Sequence, residues 1–210
     1  MMRMVLTKIA LSVCVLLSAS LPAAARSGTA LQKKRTGRHA QRRQPRLREP
    51  DVIFVPTPPE TVDEMLRQAH LKKGDVLFDL GSGDGRIPLA AARQYGVRAV
   101  GIDIDPKLVA EATETAKREG LDHLVTFRLG DMFAADLRGA AVVTLYLSDT
   151  LNVMLRPKLL RELRPGSRIV SHDFRMGDWP PEQSVRVPWK NLYRTVYVWT
   201  VPRSRSYKKK

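Results

Sequence analysis

A chain of 210 residues, 43% hydrophobic and 27% charged, has the length and composition of one globular domain with a small annex, which excludes a short peptide and a polytopic membrane protein. The net charge of +15 would suggest a phosphate-rich partner, but residues 1–25 carry +2, 26–49 carry +8 and 203–210 carry +5, whereas 50–202 hold 20 basic and 20 acidic side chains. A neutral core between basic tails argues against a nucleic-acid-reading domain, whose basic face belongs to the fold itself.

The N-terminus has the order of a targeting segment. Arg3 and Lys8 precede an apolar run from Ile9 to Leu21, and Ala23-Ala24-Ala25 offers a small-residue cleavage site before Arg26. This predicts a signal peptide over 1–25 and export to the periplasm or cell envelope. Two alternatives stay open. The 17 uncharged residues from Ile9 to Ala25 are a short membrane anchor against the roughly 20 a bilayer needs, and the nine Lys/Arg that follow would keep the core in the cytoplasm. The absence of any acid before Glu49 also suits a mitochondrial presequence. The one cysteine, Cys14, lies in the apolar run. Residues 26–49 show no period and few apolar positions, so they read as a disordered basic linker, and 203–210 as a basic tail. Such tails suit contact with anionic membrane lipids.

The domain is expected over 50–202. Thr57-Pro58-Pro59-Glu60 fits a capping box, and Val62, Met65, Leu66 and Ala69 follow at helical spacing. Val76–Leu80 reads as a strand, then a glycine-rich turn enters an alanine-rich helix ending near Gly96. A second strand, 99–103, runs into a helix capped by Asp105 with Pro106 at its first position. Glu114 and Arg118 pair on the outer face of that helix. Strands follow at 124–129, 141–147 and 168–172, the last two separated by a helical stretch broken at Pro157. Segments 184–190 and 193–201 form a closing hairpin. The alternation specifies an α/β domain with a mostly parallel seven-strand sheet, helices on both faces and an antiparallel C-terminal hairpin.

The informative stretch is Asp79-Leu80-Gly81-Ser82-Gly83-Asp84-Gly85-Arg86. The three glycines let the backbone leave the strand sharply and bring its N–H groups toward a ligand. Asp103 ends the next strand, 20 residues after Gly83, where a carboxylate can accept both hydroxyls of a ribose. Asp131 follows the third strand and suits an exocyclic adenine amine. Each acid alone would be an ordinary helix cap, but three in register at successive carboxyl tips make an adenosine site. Arg86 stands where a dinucleotide fingerprint needs its third glycine, and no Walker lysine follows. Asp79 and Asp84 beside the turn repel a pyrophosphate and favour a cation. S-adenosylmethionine, with its sulfonium and ammonium groups, meets these terms.

DLGSGDGR, GIDIDP and FRLGDMF resemble the first three motifs of class I, seven-strand S-adenosylmethionine-dependent methyltransferases of Rossmann-like fold. VPTPPETVDEML, LGSGDGRIPLAAA, VVTLYLSDTLN and SRIVSHDFRMGDW are similar to a bacterial group related to the mitochondrial lysine methyltransferases of the ATP synthase c subunit and the adenine nucleotide translocase. The resemblance spans 52–201. It implies that Asp79 and the turn of Gly81, Ser82, Gly83 and Gly85 cradle the methionine part. It further implies that Asp103 binds the ribose with Ile104 on the adenine, and that Asp131 holds the adenine amine beside Met132. The helix from Pro58 would then close over the cofactor, with Pro56 and Thr57 at its mouth.

Methyl transfer needs a positioned nucleophile and no catalytic metal, and no metal cluster is read here. Leu147-Ser148-Asp149-Thr150 replaces the N/D-P-P-Y/F tetrapeptide of many amine and base methyltransferases, which argues against the adenine- and glutamine-methylating branches. Acceptor-side candidates are Tyr146, Ser148, Asp149 and Asn152 at the fourth strand's tip and His172, Asp173 and Phe174 after the fifth. A carboxylate of Asp149 or Asp173 would orient a lysine ammonium and His172 would take its proton. Against these stand structural roles: Asp149 as a helix N-cap, His172 and Asp173 as pins to Trp179, Tyr146 as sheet packing. The expected partner is a protein lysine, with RNA or a small molecule as alternative acceptors and a non-catalytic cofactor-binding module as the alternative class.

Overall fold

The computed structural model describes Glu49 and residues 51–203. The signal-peptide or anchor segment 1–25, the linker apart from Glu49, and the tail beyond Arg203 lie outside the described residues. Among the described residues no helix is long and apolar enough to cross a membrane.

In chain order the elements are α1 (Pro59–Gln68), β1 (Val76–Leu80), α2 (Arg86–Tyr95), β2 (Arg98–Asp103), α3 (Pro106–Arg118), β3 (Val125–Leu129), β4 (Val142–Leu145), α4 (Asp149–Glu162), β5 (Arg168–His172), β6 (Gln183–Trp189) and β7 (Leu192–Thr200). They build one seven-stranded sheet ordered β3-β2-β1-β4-β5-β7-β6. The first five strands pair in parallel, and β7 enters antiparallel between β5 and β6. Strand order reverses between β1 and β4, and the carboxyl ends splay there into the crevice where such sheets bind ligands.

Strand alternation sorts the core into two layers. Leu77, Ala99, Val142 and Val170 face α1, α2 and α3, where Val62, Met65, Leu66 and the Ala90-Ala91-Ala92 run meet them. Phe78, Val100, Val143 and Ile169 face the other way, onto Leu151, Leu155 and Leu159 of α4. Helices therefore cover both faces, as the pattern requires.

Four local expectations change. The N-cap of α1 is Pro58 and no side chain caps it, so Thr57 is released from the capping box for another task. Pro157 does not break the fourth helical stretch; α4 runs through it. The exposed Pro157 leaves only the Val153 carbonyl, on the solvent side, without its donor. Strand four ends at Leu145, two residues early, which frees Tyr146 from the sheet. Glu114 pairs with Lys117 at 2.8 Å rather than with Arg118, which turns to Thr115.

Candidate functional site

A cavity of about 520 Å³ opens at the reversal point, built from the tips of β1, β2, β3 and β4. Asp79, Gly81 and Ser82 come from β1 and its turn, Asp103 and Ile104 from β2, Asp131 and Met132 from the loop after β3, and Tyr146 follows β4. Thr57 closes the opposite side. Eight cofactor-side candidates are thus brought together around one volume. Gly83 and Gly85 stand just behind the wall.

The glycine turn does more packing than expected. Gly81, Gly83 and Gly85 all have left-handed φ, of 76°, 53° and 80°. A Cβ at Gly85 would lie 2.3 Å from the Phe127 ring and 2.9 Å from Ala112, so this glycine lets β3 and α3 close on the turn. The N–H groups at 81 and 82 donate to the Ile102 carbonyl, at 2.8 and 3.1 Å, and that at 85 donates to the Ser82 carbonyl. Gly83 N–H donates to Asp103 Oδ2 at 2.7 Å. These four donors face inward, contrary to the expectation that they meet a ligand. A pyrophosphate would find no nest of free N–H groups here. Ser82 touches the cavity, but its buried hydroxyl lies against Gly101 without a hydrogen-bond partner.

Asp79 is 3% exposed and accepts a hydrogen bond from Thr144 Oγ1 at 2.7 Å. Burial pushes its carboxyl up to about 7 against that hydrogen bond, and Asp103 and Asp84 add to the rise. Asp84 is matched by Arg86, whereas among the described residues no cation pairs with Asp79. A wall of this kind gains by admitting a positive group. Asp103 accepts from Gly83 and, at 2.9 Å, from Asp105 N–H; each carboxylate oxygen retains a lone pair for a hydroxyl. Asp131 Oδ1 accepts from Phe133 N–H at 2.8 Å.

Thr57 Oγ1 lies 3.2 Å from His172 Nδ1, and the Thr57 carbonyl accepts from Arg86 Nη1 at 2.8 Å. Arg86, which sequence marked only as a missing glycine, therefore ties the entry of α1 to the glycine turn. His172 is fully buried and does not line the cavity. Burial pulls its imidazole down to about 4, opposed by Asp173, so it is neutral at physiological pH. Its ring supports Tyr146, stacked at 3.8 Å, and Phe174 stacks on Tyr146 from 5.8 Å. Tyr146 is thus a wall of the cavity rather than sheet packing, and burial pushes its phenol up.

The two acceptor-side carboxylates are engaged elsewhere. Asp149 starts α4 after the cap residue Ser148, whose hydroxyl accepts from Leu151 N–H at 3.2 Å. Asp149 Oδ1 instead accepts from Arg175 N–H at 2.6 Å, clasping the loop after β5. Asp173 has a left-handed φ of 60°, held by Thr195 N–H on Oδ1 at 2.7 Å and Arg194 on Oδ2 at 3.0 Å. It is pinned to β7, not to Trp179, whose carbonyl accepts from Trp199 Nε1. Neither carboxylate lines the cavity. Asn152 is buried, donating to Ser171 and to the Phe174 carbonyl.

One wall was not foreseen. Asp51–Val55, ahead of the expected helix, runs as an irregular strap along the cavity, with Phe54 lying on Gly83. Its signal in the sequence was four successive apolar residues, Val52-Ile53-Phe54-Val55, next to a basic linker and without a strand's alternation.

A family model described as the ANTKMT methyltransferase domain matches residues 79–183. A protein-lysine N-methyltransferase of Saccharolobus islandicus is 39% identical over 153 residues, covering 72% of this chain and 95% of that protein. The adenine nucleotide translocase lysine N-methyltransferase of Mus musculus is 37% identical over 62% of this chain, which spans 56% of that relative's length. A crystal structure described as an RNA methyltransferase from Salinibacter ruber, in complex with S-adenosyl-L-homocysteine, is 50% identical and superposes with a TM-score of 0.69, over 74% of this chain and 99% of that one. A buried acid awaiting a cation, a turn without a phosphate nest, and near-complete coverage of the Saccharolobus and Salinibacter proteins agree. The chain belongs to the ANTKMT-type family of S-adenosylmethionine-dependent methyltransferases.

Proposed function

We propose that the protein methylates the ε-amine of a lysine in a protein substrate. Asp79 holds the cofactor's ammonium, Asp103 its ribose hydroxyls with Ile104 against the adenine, and Asp131 the adenine amine beside Met132. Gly81 and Ser82 form the wall beside the methionine part, and Gly83 and Gly85 shape the turn behind it. When bound, the cofactor supplies a methyl group already activated on a sulfonium and a neutral thioether leaving group. A lysine nitrogen held at this wall would use its lone pair for the new N–C bond, the S–C electron pair leaving with the thioether. The chain must deliver an amine that has already lost its proton, because an ammonium has no lone pair to attack with.

The observation that carries the reading is the acceptor-side wall, in which Tyr146, Leu147 and Leu151 line the cavity while Asp149, His172 and Asp173 do not. An aliphatic and aromatic wall accepts the four methylenes of lysine and favours its neutral amine by desolvation. Tyr146, stacked on His172 and Phe174, would accept an N–H and aim the lone pair, and that stacking supports the role by fixing its ring. The name of the Saccharolobus relative points the same way. RNA is the second reading, favoured by the description of the Salinibacter structure, but the neutral core and apolar wall suit it poorly.

The test is transfer of a tritiated methyl group from S-adenosylmethionine into a membrane and envelope extract. Methyllysine in tryptic peptides is expected, with Tyr146→Phe lowering kcat more than it raises KM. Label released by ribonuclease would replace lysine with RNA, and cofactor binding without any transfer would sink both.

A further inference from the structure

The carboxyl edge that carries the cavity is also the apolar edge of the molecule. Among the described residues, the exposed large hydrophobics are the strap Val52–Val55, Val153 and Met154 near the start of α4, Leu192 and Tyr193 at the β6–β7 turn, Leu129 at the tip of β3, and Tyr95. All but Tyr95 lie toward the carboxyl ends of the parallel strands; Tyr95 ends α2 at the opposite edge. Ile53 is the extreme, at 86% exposed.

The hairpin gives this edge its chemistry. His172, the last residue of β5, pairs with Val196, so the part of the hairpin from Thr195 back to Leu192 projects beyond the sheet, by roughly 13 Å at 3.3 Å per residue. Residues 183–203 contain Arg186, Lys190, Arg194 and Arg203 and no acid. Arg186 lies 4.1 Å over the Tyr193 ring, and Trp189 carries Arg194 at 4.3 Å and Lys190 at 4.8 Å. Arg194 is matched by Asp173, but Arg186 and Lys190 make no ion pair among the described residues. The strap adjoins this projection, since the chain runs from Val55 through Pro56 to Thr57, whose hydroxyl rests on His172.

We propose that this edge docks on a lipid bilayer bearing anionic headgroups, with the hairpin tip and strap seated in the interface and the cavity mouth facing it. Half-exposed aromatics among unpaired cations are the residues that settle at the boundary between headgroups and acyl chains. The direction of the chain supports lipid over a soluble protein. The described fold begins on this same edge at Asp51, directly after a segment holding nine Lys/Arg and, before it, the apolar run Ile9–Leu21. The proposal concerns where the site works and holds for whichever acceptor it uses.

The experiment uses the full 210-residue chain and phosphatidylcholine vesicles with or without about 30 mol% phosphatidylglycerol. Tails alone could bind such vesicles, so the readout is quenching of tryptophan emission by brominated acyl chains. Trp179 and Trp199 are buried, which leaves Trp189 as the reporter. Quenching is expected with the anionic vesicles, absent in Trp189→Phe, and the combined Lys190→Glu, Leu192→Ser variant should lose about fivefold or more in partitioning. That variant lies outside the cavity wall, and an unchanged melting curve and cofactor affinity establish that it folds. Binding without quenching would mean that the tails dock alone and would overturn the proposal. So would equal quenching on uncharged vesicles, or a variant that keeps its partitioning but loses transfer to a protein substrate, which would make the hairpin a protein-docking surface.

Discussion

Asp79 gains one hydrogen bond, from Thr144, and loses nearly all its water on folding. The folded chain keeps its carboxyl proton up to about pH 7, whereas the unfolded chain releases it near 3.8. Through that window the folded state binds more protons, so this residue erodes stability as pH rises, and the loss is complete above about 7. Asp79→Asn, which still accepts from Thr144, should therefore raise stability at pH 8 by on the order of 2–4 kcal/mol, or roughly 5–10 °C in melting temperature. The gain should vanish below about pH 3, where both states are protonated, and calorimetry should find cofactor binding abolished. A variant less stable than its parent at pH 8 would overturn this account. The neighbouring glycines separate packing from binding in the same way. Gly85→Ala drives a Cβ into Phe127 and Ala112, both packed, and should cost about 3 kcal/mol or more. Gly83→Ala meets only the Phe54 ring of the exposed strap, which can swing, so thermal melts should show about 1 kcal/mol of loss while cofactor affinity falls.

The elements themselves were largely legible. β1, α2 and β5 begin and end where hydrophobic runs and glycine or proline punctuation put them, because those signals are local. What sequence could not give was partnership across the fold. Thr57 had the spacing of a cap, yet its hydroxyl reaches His172, 115 residues away, and nothing local announces a bond of that range. Asp149, His172 and Asp173 had the residue types of an acceptor site, yet Arg175, burial and Thr195 account for them. The cofactor-side acids meet at one cavity because a parallel sheet brings successive strand tips to one crevice whatever else varies. Pro157 shows the limit of breaker signals. Most of the burial of α4 comes from Leu151, Leu155 and Leu159, and that face outweighs one missing bond on the wet side. Pro157→Ala restores a donor to the Val153 carbonyl and relieves the ring's crowding, so α4 should gain about 1–3 kcal/mol, read as a melting temperature higher by roughly 3 °C or more.

At the scale of the whole molecule, a net charge of +15 and a neutral core are separate properties of one chain. Among the described residues, both hydrophobic layers draw on positions between Val62 and Val201. The cavity wall begins further out, at Asp51. Two truncations separate these boundaries. A chain starting at Asp51 keeps both layers and the whole wall, and it should melt within about 1 °C of the full chain and bind the cofactor equally, since surface charge distant from a site contributes little there at physiological salt. A chain starting at Pro56 also keeps both layers but loses the strap, with Phe54 on Gly83, from the cavity wall. Its melting temperature should change little while its cofactor affinity falls by about tenfold, the worth of one or two buried apolar side chains. Equal affinity in the two truncations would show that the strap encloses nothing the cofactor needs, and the second chain would then be the smaller complete domain.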